Sequence, residues 1–261
     1  MISKYQSYSF AILFLLCAFL VPARASDSAY AADSDYKEAV KALEARDYAA
    51  ALRYLESAVS GDPDNLRYAS EYRQAAIQSK EFDRTVQFFE KLAAAHPDSA
   101  CVHLNFGFAY VDKIPSAGSI TQVILANNAL KEFTKSVELK PTWIALYTRG
   151  MSYLFWPKVF ARASFGVTDL QKAMEIQKTE ARRPYHVKTY IALGDGYWKT
   201  DDLEKARAIW QEGLKAFPDN QALKTRLAQE GDQLKATIEA GFDPAKRVDT
   251  DLRDLWANSQ S

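Results

Sequence analysis

Residues able to do chemistry are few in this chain and widely spread. The histidines are His96, His103 and His186, none of them three or four residues from another His or from a Cys. Spacings of three or four would set two ligands on one helix face for a divalent metal, and Cys-x-x-Cys does not occur either. Cys101 and His103 lie two apart, so a helix turns them to different faces. A lone cysteine of this kind reads as a small buried hydrophobe rather than a nucleophile. Gly194-Asp195-Gly196 has the composition of a phosphate-holding loop, but Gly194 falls at a helix-contact position of the pattern described below. Asp201-Asp202 reads as a turn and a solvated helix end, and no Ser/His/Asp arrangement stands out. These residues assign no catalytic group, no metal site and no cofactor. The expectation is a protein that is not an enzyme.

The elements that would position any functional side chain are helical. Gly and Pro number only 10 and 9 in 261 residues, which disfavours a loop-rich β architecture. Five stretches share one helix–turn–helix pattern, each closing at proline or an equivalent turn. The fifth is the clearest, with Tyr190, Leu193, Gly194 and Tyr197 followed by Ala206, Trp210, Gly213 and Pro218. The third has Phe106, Gly107 and Tyr110, then Ala129, Phe133, Ser136 and Pro141. The fourth has Gly150 and Tyr153, then Gly166, Leu170 and Ala173. The first two match mainly in their second helix, through Ala51, Leu55, Ala58 and Pro63, and through Thr85, Phe89, Leu92 and Pro97. Pro63 and Pro97 stand 34 residues apart. Asp62-Pro63-Asp64-Asn65 and Phe217-Pro218-Asp219-Asn220 are joining turns with a capping residue ready for the next helix.

These residues resemble the tetratricopeptide-repeat (TPR) family over roughly residues 32–220, a family with a 34-residue unit. The resemblance implies an all-α fold, a right-handed α-solenoid of about five helix–turn–helix units with a C-terminal capping helix. Small residues let paired helices approach while Tyr, Phe or Trp fill the space beside them, and Gly194 is expected to face Ala206. The capping helix is read from Ala222, Leu223, Leu227, Leu234 and Ile238, amid charged residues suited to a polar outer face. Gly241-Phe242-Asp243-Pro244 stops it. The units thus span 26–240, with insertions near 112–126, 154–164 and 179–185, and a tail over 241–261. In the tail Val248, Leu252 and Leu255 or Trp256 recur at helical spacing, which suits a short amphipathic helix packed on the solenoid or a docking segment.

The first 25 residues read as a leader. A polar start with Lys4 precedes an unbroken apolar run from Phe10 to Val21, and Ala23-Arg24-Ala25 supplies small residues where a signal peptidase reads them. The run is short for a membrane span of about 20 residues. The expectation is export to the periplasm after cleavage at Ala25, with an uncleaved anchor as the alternative. Losing Lys4 and Arg24 leaves the acidic residues two ahead of the basic ones. Nothing in that balance recruits nucleic acid. Any membrane association is expected to be peripheral and through partners.

In TPR proteins the first helix of each unit lines a concave groove, and the resemblance carries that role to particular positions. The second unit offers Arg67, Ser70, Gln74, Ile77 and Gln78. The third offers Cys101, Leu104, Phe108, Val111 and Asp112. The fourth offers Ile144, Tyr147, Met151, Leu154 and Phe155, and the fifth Lys188, Ile191, Asp195, Trp198 and Lys199. The Lys and Asn that clamp chaperone carboxylates in some members are replaced here by Tyr36/Val40, Ser70/Gln74 and Leu104/Phe108. The groove expected to hold a protein or peptide partner is therefore apolar at its centre. Its candidate residues are Leu104, Phe108, Tyr147, Met151, Phe155, Asp195, Trp198 and Lys199. The function read from this is a non-enzymatic scaffold or adaptor of the cell envelope. The alternative is a small-molecule or lipid carrier whose apolar inserts close the groove. A further possibility open at this point is that the insert around Val123, Ile124 and Leu125 folds back into the groove.

Overall fold

The computed structural model describes residues 22–243 and 246–257. The apolar run of the leader and Pro244 of the expected helix stop lie outside the described residues. Ten helices form five antiparallel pairs in chain order. They are α1 (Pro22–Glu44) with α2 (Tyr48–Gly61), and α3 (Leu66–Ser79) with α4 (Phe82–Ala95). Then come α5 (Ala100–Lys113) with α6 (Ser119–Leu139), and α7 (Trp143–Leu154) with α8 (Ala163–Thr179). The fifth pair is α9 (Val187–Lys199) with α10 (Leu203–Ala216). Two short helices, α11 (Gln221–Ala228) and α12 (Gly231–Glu239), close the end. No β-strand occurs among the described residues. The molecule is an α-solenoid, built of helices in consecutive packed pairs.

Local chemistry sets these boundaries. Asp47, Asn65, Ser99, Thr142, Asp202 and Asn220 each cap a helix, accepting a hydrogen bond from the backbone N–H three residues on. The turns inside pairs one, two and five share one geometry. Arg46, Lys80 and Asp201 adopt left-handed backbone, at φ of 58°, 62° and 64°. The next N–H then reaches back into the first helix: Asp47 to Ala42, Glu81 to Ala76 and Asp202 to Tyr197, at 2.8, 2.9 and 2.9 Å. That bond satisfies carbonyls the helix end would otherwise strand.

The close approach within pairs differs from the expected one. A Cβ on Gly194 would lie 2.1 Å from Trp210 Nε1, so its partner is the Trp210 ring and not Ala206. Gly107 meets Phe133 at 2.4 Å and Gly150 meets Leu170 at 2.8 Å in the same way. In these three pairs the glycine of the first helix is a socket for the large residue four positions beyond the small residue of the second. Phe133, Leu170 and Trp210 are all 1% exposed or less as a result. Nearest-neighbour packing of this kind is what stabilises a solenoid without a central core.

Two other expectations are revised. The capping element is two helices rather than one, broken where Gln229 and Glu230 are extended and Gly231 turns at φ +49°. The tail is not an amphipathic helix. It runs without regular secondary structure from Arg247 to Leu252 and makes a single 3-10 turn at Arg253–Leu255. Thr and Asp at 249–251 favour such backbone, and Thr250 takes its hydrogen bonds from the solenoid instead of from its own turns. The insert of the third unit lengthens α6 at its N-terminal end, after a 3-10 turn at Ile114–Ser116. Leu125 is buried, whereas Ile120, Val123 and Ile124 are exposed. The insert does not fold into the groove.

Candidate functional site: the concave groove and its tail

The groove is built by α3, α5, α7 and α9, and the chain's own C-terminal segment lies in it. Phe242 packs edge-on to Phe155, with ring centroids 5.3 Å apart, and lies 4.3 Å from Lys199 Nζ. From there the chain returns to the third unit, where Arg247 donates to the Asp112 carbonyl at 3.1 Å. It then crosses the groove, and Lys188 holds Asp254 at 2.8 Å on α9.

A buried polar head sits at the centre. Arg73 is fully buried and spends its guanidinium on three acceptors. Nε donates to Asn105 Oδ1 at 3.0 Å, Nη1 to Asp112 Oδ2 at 3.0 Å, and Nη2 to the Thr250 carbonyl at 3.1 Å. The Thr250 hydroxyl donates in turn to Asp112 Oδ1 at 2.5 Å. The guanidinium also lies 4.5 Å above the Phe108 ring, a cation–π placement. Burial pushes the Asp112 carboxyl above its ordinary value, and Arg73 opposes the rise. Burying such a pair is tolerable only when every remaining donor and acceptor is met, and Thr250 meets two of them.

Beside the polar head is an apolar socket. Leu252 is 6% exposed and packs with Leu104, Phe108, Ala129 and Phe133, with Leu66, Val111 and Ile144 around them. Leu255 and Trp256 add half-buried contacts over the same cluster.

The expected groove residues therefore separate into three sets. Leu104 and Phe108 are buried around Leu252. Tyr147, Met151, Phe155 and Trp198 are half-buried in the cluster that receives Phe242, where burial also lowers the Lys199 ammonium from its ordinary value. Asp195 is buried and takes Arg226 of α11 in a two-pronged pair at 2.6 and 2.7 Å. Its role is to strap the end helices to the fifth unit. Leu154, placed in the groove register by the resemblance, is fully buried in the core, and Ser70 is buried as well.

Arg73, Asn105 and Thr250 escaped the sequence reading. The signal available was a lone arginine among Ala and Tyr in Tyr68–Ile77, on a helix otherwise packed by small residues.

The residues weighed for chemistry have structural partners. His103 bridges Glu132 at 2.6 Å and the Pro97 carbonyl at 3.1 Å, tying α5 to α6. Burial pushes the Cys101 thiol up to about 12, which leaves it protonated and unreactive near neutrality. Among the described residues no three His, Cys, Asp or Glu side chains converge as a metal site.

Residues 42–104, from the end of α1 into α5, match the sequence model of the tetratricopeptide-repeat family. No curated protein matches the chain by sequence. Several solved structures share its fold. One is a tetratricopeptide repeat protein from Parabacteroides merdae, 14% identical, with a TM-score of 0.54 over 83% of this chain and 81% of that one. Another is a thermophilic TPR protein of Thermus thermophilus, 18% identical, with a TM-score of 0.53 over 76% and 97%. MamA from Desulfovibrio magneticus is also 18% identical, with a TM-score of 0.50 over 73% and 97%. Residues 42–104 are thus similar in sequence to tetratricopeptide repeats, and the paired helices along the chain share the fold of solved tetratricopeptide-repeat solenoids.

Proposed function

We propose that this chain is a non-enzymatic scaffold of the cell envelope that holds a segment of a protein partner in its concave groove. The observation that carries the reading is the groove's fit to a peptide. A fully buried arginine, a buried carboxylate and an apolar socket accept one peptide segment, and the segment in place is the chain's own. Grooves of this construction bind through a few anchored side chains rather than through area. The carrier alternative needs a closed apolar cavity. One concavity of about 740 Å³ lies along α6, and its lining includes the charged Lys131, Glu132, Lys135, Glu138 and Arg162, which do not suit an apolar ligand.

The experiment is photo-cross-linking in the native host, with a benzophenone side chain at Tyr147 or Ile191. Adducts heavier than the chain support a scaffold. Adducts confined to the chain itself at both positions would retire it. The envelope setting rests on the leader over residues 1–25. N-terminal sequencing of protein recovered from the envelope should begin at Ser26, and an intact Met1 there would mean an anchored protein.

A further inference from the structure

The tail in the groove is addressed by side chains that could read a ligand. Thr250 presents a carbonyl to Arg73 and a hydroxyl to Asp112, Leu252 fills the Phe108 socket, and Asp254 meets Lys188. All three face the groove, Thr250 and Leu252 from the irregular stretch and Asp254 from the 3-10 turn that follows it. The neighbours between them contribute little: Arg253 is exposed, and Asp251 bonds to Arg253 within the tail itself. Preceding them, Arg247 to Asp249 are exposed. Only Thr250 and Leu252 of this segment are buried, and these two inner anchors are flanked by outer contacts from Arg247, Asp254, Leu255 and Trp256.

The host surface also has the character of a site rather than of a core. Arg73 and Asp112 are ionic groups where solenoid packing would be served by apolar residues. Both lie on first helices, and both remain wettable when the segment leaves. Water then satisfies Arg73 Nη2 and Asp112 Oδ1, so an empty groove carries no stranded charge. A leucine socket alone would accept any apolar side chain. The polar head adds a demand for a hydroxyl two residues earlier, because an unmatched Asp112 oxygen would be costly beneath a bound segment.

We infer that the groove recognises an acidic protein segment of the pattern hydroxyl–x–leucine–x–carboxylate, and that residues 247–256 are an internal copy of that ligand which a partner must displace. The inference rests on the scaffold reading and specifies its ligand and its control. The tether holds the tail at an effective concentration on the order of millimolar, so a partner segment of equal intrinsic affinity meets a large handicap. Binding thus responds to anything that weakens the two anchors.

The test uses the full chain with Thr250→Ala and Leu252→Asp together, which alter the tail and leave every groove residue in place. The probe is a fluorescein-labelled peptide of residues 246–257, followed by anisotropy, with circular dichroism verifying that helicity is retained. The released chain should bind the peptide at least tenfold more tightly than the native chain. Peptides with valine for the threonine, or aspartate for the leucine, should bind the released chain at least tenfold more weakly; these variants cannot fail by unfolding the protein. Equal binding by the two chains, or by neither, overturns the internal-copy assignment. Binding indifferent to both peptide changes overturns the recognition pattern. A native chain of doubled mass that becomes single in the released form makes the occupant a second copy and overturns a foreign partner. Peptide binding as expected, with no foreign adduct in cells, would retire the scaffold reading alone.

Discussion

Glycine at the helix contacts is the clearest case of one side chain's absence deciding a packing geometry. Replacing Gly194 by Ala gains about 1 kcal/mol of helix propensity. The added Cβ would sit 2.1 Å from the Trp210 ring, which is fully buried and has nowhere to retreat. Overpacking of this sort costs about 1–3 kcal/mol, so Gly194→Ala should lower stability, read as a lower urea midpoint at unchanged slope. A titratable group gives a second expectation. His186 is buried behind the rings of Trp143 and Tyr185, and burial lowers its pKa below the ordinary value. Its Nδ1 accepts from the Arg183 N–H, which requires the neutral ring. The folded state therefore binds the proton less readily than the unfolded one. Stability from this site is complete above the ordinary histidine pKa and falls as pH drops below it. Urea midpoints between pH 7 and pH 5 should decline in the native chain and decline less in His186→Gln. The socket role of Gly194 was half legible, because the glycine itself marks a close approach while nothing local says which large residue enters it.

At the scale of elements, Pro63, Pro97, Pro141 and Pro218 and the caps Asn65 and Asn220 marked several helix boundaries in the sequence, since those signals act within one turn of the chain. Pairs one, two and five follow the regular turn, and there the left-handed residue is Arg46, Lys80 or Asp201 rather than glycine. Holding an L-residue in that conformation costs about 1–2 kcal/mol, part of which returns when glycine enters and loosens the unfolded chain. Lys80→Gly should accordingly raise stability by up to about 1 kcal/mol, seen as a higher melting temperature. The tail was misread for the opposite reason. Val248, Leu252 and Leu255 recur at helical spacing, yet an isolated turn of helix is marginal, and the solenoid's own hydrogen-bond partners held the segment out of helical form. Periodicity reports what a segment could form alone. It is silent about a ready-made partner 177 residues away, which is the separation of Arg73 and Thr250.

Over the whole molecule, that separation changes how the solenoid behaves. Repeat arrays open from their ends, each unit depending only on its neighbours. Here the tail fastens α3 and α5 to α7 and α9 across the concave side. Hydrogen exchange should therefore show similar protection in α3 and α9 of the native chain, and divergent protection in Leu252→Asp. Equal protection in both proteins would mean the tail adds nothing to cooperativity. Synthesis adds a consequence of the same strap. Chains fold from the N-terminus as they emerge, and the strap is made of residues 247–256 of 261. All five helical pairs are complete before it exists. A folding molecule thus has an open groove until residues 247–256 join the fold, and a partner present at that moment meets no competitor.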